Sequence, residues 1–357
     1  MILHIFNPDH DLALAANLAN FTAPHAGREL RADVAFLPAL WAEEGDWVLV
    51  EDVESTTMYA NHLSKYLHRV RFLTLEQLAT CHREVSKIEV WGWNKALCRQ
   101  LQRAGVSPLL MPTPTQLEAF REVSNRQWAS EHLLKPLVQS HERLTGEAVF
   151  LTGITHLQPQ TVLKSPWSSS GRGVKYVESA DDQALLRWAE RVVGQQGGIM
   201  QEPYYKKVTD FAMEFQSDGK GRVNYLGLSL FQTVKGAYTG NLIATEAEKR
   251  SQLEKYIPES LLIHVRNRLE EMLSYHLGHL YEGPLGVDMM IVAPDNASLL
   301  QLHPCVELNL RRTMGHVALA LTSKQPQPWL TMRIKHTDRY RLHIAPYMAN
   351  TVNTQLA

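Results

Sequence analysis

Short apolar runs alternate with amphipathic segments through the first third of this 357-residue chain. Four runs have the length and composition of strands: 2–6 (ILHIF), 47–51 (WVLVE), 87–93 (KIEVWGW) and 108–112 (PLLMP). The segments 59–70 and 94–105 between them have helical spacing, and Gly105 is placed to end the second helix. Strands that alternate with helices favour a parallel sheet with crossover helices, so residues 1–120 are predicted to form an α/β unit.

The pattern changes after a proline-marked break at residues 112–120 (PTPTQLEAF). Beyond residue 200, long β-rich segments come in pairs joined by turns such as DGKG (218–221), which is typical of antiparallel sheets. The chain is therefore predicted to combine α/β with α+β architecture. We divide it into an N-terminal domain and three later parts: 1–120, 121–200, 201–335 and a C-terminal tail at 336–357.

Charge and hydropathy limit the classes of molecule that this protein is expected to bind. The chain has 36 Lys and Arg against 37 Asp and Glu, so no net charge draws it to nucleic acid or to a membrane surface. No apolar run approaches the roughly 20 residues of a membrane span, and the start MILHIFNPDHD lacks the pattern of a signal peptide. The three cysteines do not form a CxxC pair, which favours a reducing compartment. We expect a cytoplasmic protein that binds small molecules.

A polar loop follows the apolar strand TVLKSP (161–166). It contains Ser168, Ser169, Ser170, Gly171, Arg172 and Gly173. Glycines let backbone amides turn toward an anion, and serine hydroxyls and Arg172 add donors. The loop lacks the spacing of a Walker A motif, so an exposed hairpin tip is the alternative interpretation. Lys164 favours the anion site, because an ammonium group at the end of an apolar strand needs a partner.

Two carboxylates interrupt apolar strands near the C-terminus. Asp288 lies in LGVDMMIV, while His303, Cys305, Glu307 and Asn309 alternate along HPCVELN (303–309). Carboxylate and amide oxygens suit Mg²⁺, so Asp288, Glu307 and Asn309 are candidate metal ligands. The alternative is that Arg311 and Arg312 neutralise both acids. A zinc site at His303 and Cys305 lacks the further nitrogen or sulfur ligands that zinc requires.

The segment MQEPY (200–204) is a weaker signal. A strand that ends at Pro203 leaves backbone groups free, which suits recognition of a flat heterocycle by main-chain donors and acceptors. An ordinary passage from strand to loop is the alternative.

The order of these segments resembles the ATP-grasp superfamily. VLKSP, SSSGRGV, MQEPY, Asp210-Phe211, GVDMM and ELNLR follow one another over roughly residues 120–320. The resemblance implies an N-terminal parallel α/β domain followed by a two-subdomain ATP-grasp fold. The E-x-N-x-R run with the upstream G-V-D strand is its most specific element.

The resemblance also implies roles for individual residues. Lys164, Arg126 and the loop from Ser168 to Gly173 resemble the groups that contact the phosphates of ATP. Gln201, Glu202 and Tyr204 resemble the adenine hinge, and Asp210 the acid that binds the ribose. Asp288, Glu307 and Asn309 resemble the Mg²⁺ ligands, and Arg311 the arginine that stabilises the transferred phosphoryl group. The chain departs from the family pattern at Arg172, Trp167 and Asp210, where Lys, a small residue and Glu are usual.

The implied activity is an ATP- and Mg²⁺-dependent ligase, with Mn²⁺ as an alternative cation. A substrate carboxylate would form an acyl-phosphate, and an amine would then displace phosphate. A kinase that stops at phosphoryl transfer and a non-catalytic nucleotide-binding protein are the alternatives. A homodimer is a possible assembly.

Two segments are candidates for the substrate pocket. Asn7, His10 and Asp11 follow the first strand, where a parallel α/β sheet places its ligand crevice. Lys235, Tyr238 and Asn241 lie in the Gly-rich stretch 233–245, for which a plain surface loop is an equal alternative.

Arg172 provides a test of the loop assignment. Arg172→Lys is expected to retain activity, because either cation can contact the β- and γ-phosphates. Arg172→Ala is expected to raise the KM for ATP, measured in a steady-state assay of ADP release. An unchanged KM in the alanine variant would contradict a phosphate contact by this residue.

Overall fold

The computed structural model describes residues 1–168, 173–234, 237–294, 299–322 and 328–347. Its first unit is a parallel sheet in the order β3-β2-β1-β4. The strands are β1 (Ile2–Ile5), β2 (Trp47–Leu49), β3 (Arg71–Leu73) and β4 (Lys87–Val90). The helices that accompany them are α1 (His10–Ala16), α2 (His25–Asp33), α3 (Val53–His62), α4 (Leu75–Cys81) and α5 (Lys95–Arg103). The predicted parallel α/β unit is confirmed.

Two details of this unit differ from the sequence-based prediction. The apolar run 108–112 contains no strand, because Pro108–Leu110 forms a 3₁₀ turn, and Leu109 points into solvent. The third strand, Arg71–Leu73, is too short to give a period-2 signal of its own. The predicted end of α5 is correct, because Gly105 has a φ of +83°, which a glycine adopts without steric cost.

The second unit is an antiparallel sheet preceded by a broken helix. The helical segments are α6 (Pro114–Val123), α7 (Arg126–Ala129), a π-helical turn at Ser130–Leu134, and α8 (Lys135–Val138). The strands are β5 (Val149–Leu151), β6 (Thr161–Lys164), β7 (Val174–Val177) and β8 (Ile199–Pro203), in the order β5-β8-β6-β7. Helix α9 (Gln183–Gln196) begins after Asp182, whose side chain accepts a hydrogen bond from the Leu185 amide.

The third unit is a long antiparallel sheet in the order β13-β12-β9-β10-β11-β14-β15. Its strands are β9 (Lys206–Asp218), β10 (Val223–Val234), β11 (Ala237–Ile243), β12 (Glu282–Ala293), β13 (Gln301–Asn309), β14 (Leu330–His336) and β15 (Tyr340–Pro346). Its helices are α10 (Glu246–Glu254), α11 (Glu259–Leu277) and α12 (Met314–Thr322). Strand β15 pairs along β14, so residues 340–346 belong to this sheet and not to a separate tail.

One face of the long sheet packs on α11. The helix buries leucine and valine at four-residue spacing, including Leu261, Val265 and Leu269. Facing it, Phe211 and Phe215 of β9 are completely buried. Each such apolar side chain contributes about 1.5–3 kcal/mol when removed from water. The alternate residues of β9, such as Asp210 and Glu214, therefore project from the opposite face.

None of the helices in the described ranges is long and apolar enough to cross a membrane.

Candidate active site

The face of the long sheet opposite α11 carries a group of acidic and amide side chains. Asp288 on β12 lies opposite Glu307 on β13. Gly286, two residues earlier, lies opposite Asn309 on one side and Glu214 on the other. Residues two apart share a face of the sheet, so the three predicted metal ligands are brought together.

The pairing of HPCVELN with β12 is irregular. His303 lies opposite Met290 while Glu307 lies opposite Asp288, so the register shifts between these pairs. The segment that spans the shift contains Pro304, which cannot donate a ladder hydrogen bond. His303 and Cys305 are both buried, and the parts of the chain that the structure describes contain no group of three or more His, Cys, Asp or Glu that could hold a metal.

The Asp288 and Glu307 carboxylates are close enough to repel each other. Burial, and after it the charge of neighbouring Glu307, raise the pKa of Asp288 to about 7, although Arg311 and Asn309 act in the opposite direction. Two carboxylates and an amide are a donor set that fits Mg²⁺. Because Mg²⁺ commonly takes only one or two carboxylates and completes its shell with phosphate or water oxygens, this donor set is sufficient for the cation.

Arg126 connects the acidic face to the start of the polar loop. Its guanidinium donates to Glu307 Oε1 at 2.7 Å, to Ser168 Oγ at 2.8 Å and to the Ser165 carbonyl at 2.5 Å. The side chain is buried at the first turn of α7. A phosphate group at this position would therefore meet a cation that is already held in place by three contacts.

The remaining residues of the polar loop fall into two groups. Ser169, Ser170, Gly171 and Arg172 lie outside the described residues, as does Lys235. Gly173 packs closely on Ser168, because a Cβ added to it would lie 2.4 Å from the Cβ of Ser168. Trp167 anchors the start of the loop, since its Nε1 donates to the Arg121 carbonyl and its ring lies 3.8 Å below the Arg121 guanidinium.

Lys164 and Glu202 form a buried ion pair across β6 and β8. The distance between Lys164 Nζ and Glu202 Oε2 is 2.5 Å, and both side chains are less than a tenth exposed.

The predicted hinge residues differ in accessibility. The side chain of Gln201 donates to Gln158 at the surface, and Tyr204 is half exposed with its ring edge-on to Tyr176.

The residues predicted to bind the ribose and to form the substrate loop are hydrogen-bonded to other residues of β9, β10 and β11. Asp210 accepts from Lys207 Nζ at 2.5 Å and from Thr233 Oγ1 at 2.7 Å. Tyr238 donates to Asn241 Oδ1, and the Asn241 amide donates to Ser229 Oγ at 2.7 Å. Asn241 is thus a buried part of the sheet and not an exposed loop residue.

Arg311 pairs with the N-terminal domain and not with the acids of the sheet. Its Nε and Nη2 each donate to one oxygen of Asp11 at 2.8 Å. Burial alone would lower the pKa of Arg311, but Asp11 raises it above the ordinary value. This bidentate pair joins α1 to the end of β13, and Nη1 of Arg311 donates to the Arg312 carbonyl at 3.1 Å.

The other two N-terminal candidates have different surroundings. The Asn7 amide donates to the Gly92 carbonyl at 2.8 Å, and its oxygen accepts from the Gly92 amide at 3.3 Å. Asn7 therefore positions the chain after β4 and has little capacity left for a substrate. His10 is buried beside Gly92, and among the described residues its Nε2 has no hydrogen-bond partner.

Glu214 is a residue of this face that the sequence-based prediction missed. It is completely buried, and burial raises its pKa to about 8. Thr313 donates to one of its oxygens at 2.8 Å, and a Cβ on Gly286 or Gly315 would collide with its carboxyl group. The general rule that an acid inside an apolar strand needs a partner would have identified it.

The fold is similar to those of two solved structures. One is a protein provisionally assigned to the ATP-grasp superfamily from Archaeoglobus fulgidus, which aligns over 98% of this chain and 100% of its own with a TM-score of 0.50 and 10% identity. The other is the biotin carboxylase domain of 2-oxoglutarate carboxylase from Hydrogenobacter thermophilus, which aligns over 93% of this chain and 74% of its own with a TM-score of 0.50 and 13% identity. No family model and no curated protein matches the sequence. At such low identities, the likeness concerns the fold and not the activity.

Proposed function

We propose, from the ATP-grasp fold of this chain, that the protein is an ATP- and Mg²⁺-dependent ligase that joins a carboxylate to an amine through an acyl-phosphate. One observation carries the proposal. Asp288, Glu307 and Asn309 share one sheet face, and two arginines, Arg126 and Arg311, lie beside them. A carboxylate and amide set next to fixed cations is what Mg·ATP and a transferred phosphoryl group require.

The structure from Hydrogenobacter thermophilus supports the nucleotide part of the proposal. That biotin carboxylase domain was crystallised with MgADP and bicarbonate. Transferred to this chain, the comparison supports binding of a magnesium–nucleotide complex.

Each side chain then has a defined task. Asp288, Glu307 and Asn309 would hold Mg²⁺, which supplies neutralisation of the phosphate charge. Lys164 binds a phosphate or the base from β6, and Arg126 contacts a phosphate from the first turn of α7. Arg311, oriented by Asp11, stabilises the phosphoryl group as it moves to the substrate carboxylate.

Product analysis tests this function. Purified protein with Mg·ATP, a panel of carboxylates and a panel of amines is expected to release ADP and phosphate and to form a condensed product, measured by mass spectrometry. Carboxylates supplied without amines are the control, because they allow activation but not condensation. A stable phosphorylated product with no condensation in any mixture would contradict the ligase proposal and support a kinase.

A further inference from the structure

Trp167, the residue before Ser168 at the start of the polar loop, is fixed by two helices. Its indole Nε1 donates to the carbonyl of Arg121, near the end of α6, at 2.8 Å. Its backbone amide donates to Gln196 Oε1 at 2.9 Å, and the side-chain nitrogen of Gln196 donates to the Trp167 carbonyl at 3.2 Å. The two contacts with α9 therefore hold the backbone of Trp167, and the indole bond holds its side chain.

The Arg121 guanidinium connects this tryptophan to the N-terminal domain. Its Cζ lies 3.8 Å from the centroid of the Trp167 ring, and its Nε donates to the Leu14 carbonyl at 2.8 Å. This carbonyl is one of the last four of α1, which have no amide partner within the helix, so Arg121 satisfies it. One side chain therefore contacts both the N-terminal domain and the start of the polar loop.

The residues on either side of Trp167 are bonded to Arg126. The Arg126 amide donates to the Pro166 carbonyl at 3.1 Å, and its guanidinium donates to the Ser165 carbonyl and to Ser168 Oγ. A displacement of the Trp167 backbone would move all three of these acceptors. Because Arg126 is the group proposed above to contact a phosphate, its orientation depends on the position of Trp167.

We propose that Arg121 and Trp167 are positioning residues that set the affinity for nucleotide without contacting it. The inference rests on the proposed function and adds a determinant at the interface with the N-terminal domain. Arg121 fixes Trp167 relative to α1, and Trp167 fixes the segment that orients Arg126. A small side chain in place of Trp167 would have no ring on which the Arg121 guanidinium could stack.

Calorimetric titration of the full chain with Mg·ADP tests the proposal. Trp167→Ala and Arg121→Ala are each expected to raise the Kd at least about tenfold, because a displacement of about 1 Å in a positioned group can cost a factor of about 100. Trp167→Phe keeps a ring beneath the guanidinium and is expected to stay within about threefold of the wild type. The matched control is Arg71→Ala, which removes a guanidinium 4.9 Å from the Trp47 ring in the N-terminal domain and should leave the Kd unchanged.

A second comparison tests whether the two residues act through Arg126. Arg126→Met is expected to weaken Mg·ADP binding in the wild type but to add less than about twofold in the Trp167→Ala background, since residues that act through one contact are not additive. Effects that multiply in the double variant would show that Trp167 acts on the nucleotide by another route, and would overturn the proposal.

Three further results would overturn it: an unchanged Kd in either folded alanine variant, a Trp167→Phe protein that binds as weakly as Trp167→Ala, or an effect of Arg71→Ala as large as that of Arg121→Ala. Circular dichroism establishes folding. If an alanine variant does not fold, Gln196→Ala provides the same test, because it releases the Trp167 backbone and removes neither a charge nor a ring.

The same titration separates this inference from the proposed function. A wild-type protein that does not bind Mg·ADP would contradict the proposed function itself. Binding by the wild type with unchanged affinity in the variants would contradict only the positioning role of Arg121 and Trp167.

Discussion

Glu307→Gln is expected to reduce ADP formation by at least about 100-fold, the loss typical when one charged or hydrogen-bonding group that stabilises a transition state is removed. The substitution preserves shape and removes the charge that Mg²⁺ needs beside Asp288. Steady-state turnover at saturating Mg·ATP measures the effect. Binding of Mg²⁺ in the presence of nucleotide, followed by titration calorimetry, is expected to weaken in parallel.

Two controls separate this effect from a loss of folding. Glu307 also accepts a hydrogen bond from Arg126, so circular dichroism must show that the variant is folded. Glu282→Gln removes a carboxylate from the far end of β12, where it pairs with Lys87 at the surface, and it should leave turnover unchanged. Turnover by a folded Glu307→Gln protein at the wild-type rate would show that the metal assignment is wrong.

Lys164→Met is expected to lower the free energy of unfolding by about 3–5 kcal/mol, because it leaves Glu202 as a buried carboxylate without its partner. Urea unfolding followed by tryptophan fluorescence measures this change. Trp188 on α9 packs against the core beneath the β6–β8 sheet and reports on this unit. Nucleotide binding should be lost as well, since Lys164 is the proposed contact from β6.

The double variant Lys164→Met/Glu202→Leu distinguishes structure from function. Its stability should return to within about 1 kcal/mol of the wild type, because an apolar pair can replace a buried ion pair. Nucleotide binding should remain weak, because the cation is still missing. Arg268→Met, which breaks an exposed pair with Glu271 on α11, should cost less than about 1 kcal/mol. Recovery of nucleotide binding in the double variant would contradict a direct role for Lys164.

Local sequence patterns were sufficient to predict an element when a single segment contains the whole pattern. The strand at Ile2–Ile5 and the antiparallel hairpin around residues 218–221 were both predicted correctly. The proline-led run at 108–112 was predicted incorrectly because a short apolar segment has no periodicity that separates a strand from a turn. The order of segments indicated the ATP-grasp fold, which the structural comparisons confirm.

These local patterns could not predict which residues pair when they lie far apart in the sequence. The sequence suggested that Arg311 and Arg312 could neutralise the acids of β12 and β13. Arg311 instead pairs with Asp11, three hundred positions away, because α1 packs beside the end of β13. The sequence also did not predict that Lys164 pairs with Glu202, because Glu202 was predicted only as part of the adenine hinge.

The sequence by itself determined the chemical types of residue at the site and the strands that carry them, because alternation places side chains on a face and apolar strands do not tolerate unpaired charge. Only the tertiary structure decided which charges meet. It joined Arg126 to Glu307 and paired Arg311 with Asp11 of the N-terminal domain. Coulomb and hydrogen-bond energies depend on distances of a few ångströms, and such distances between segments far apart in the chain arise only when the units pack.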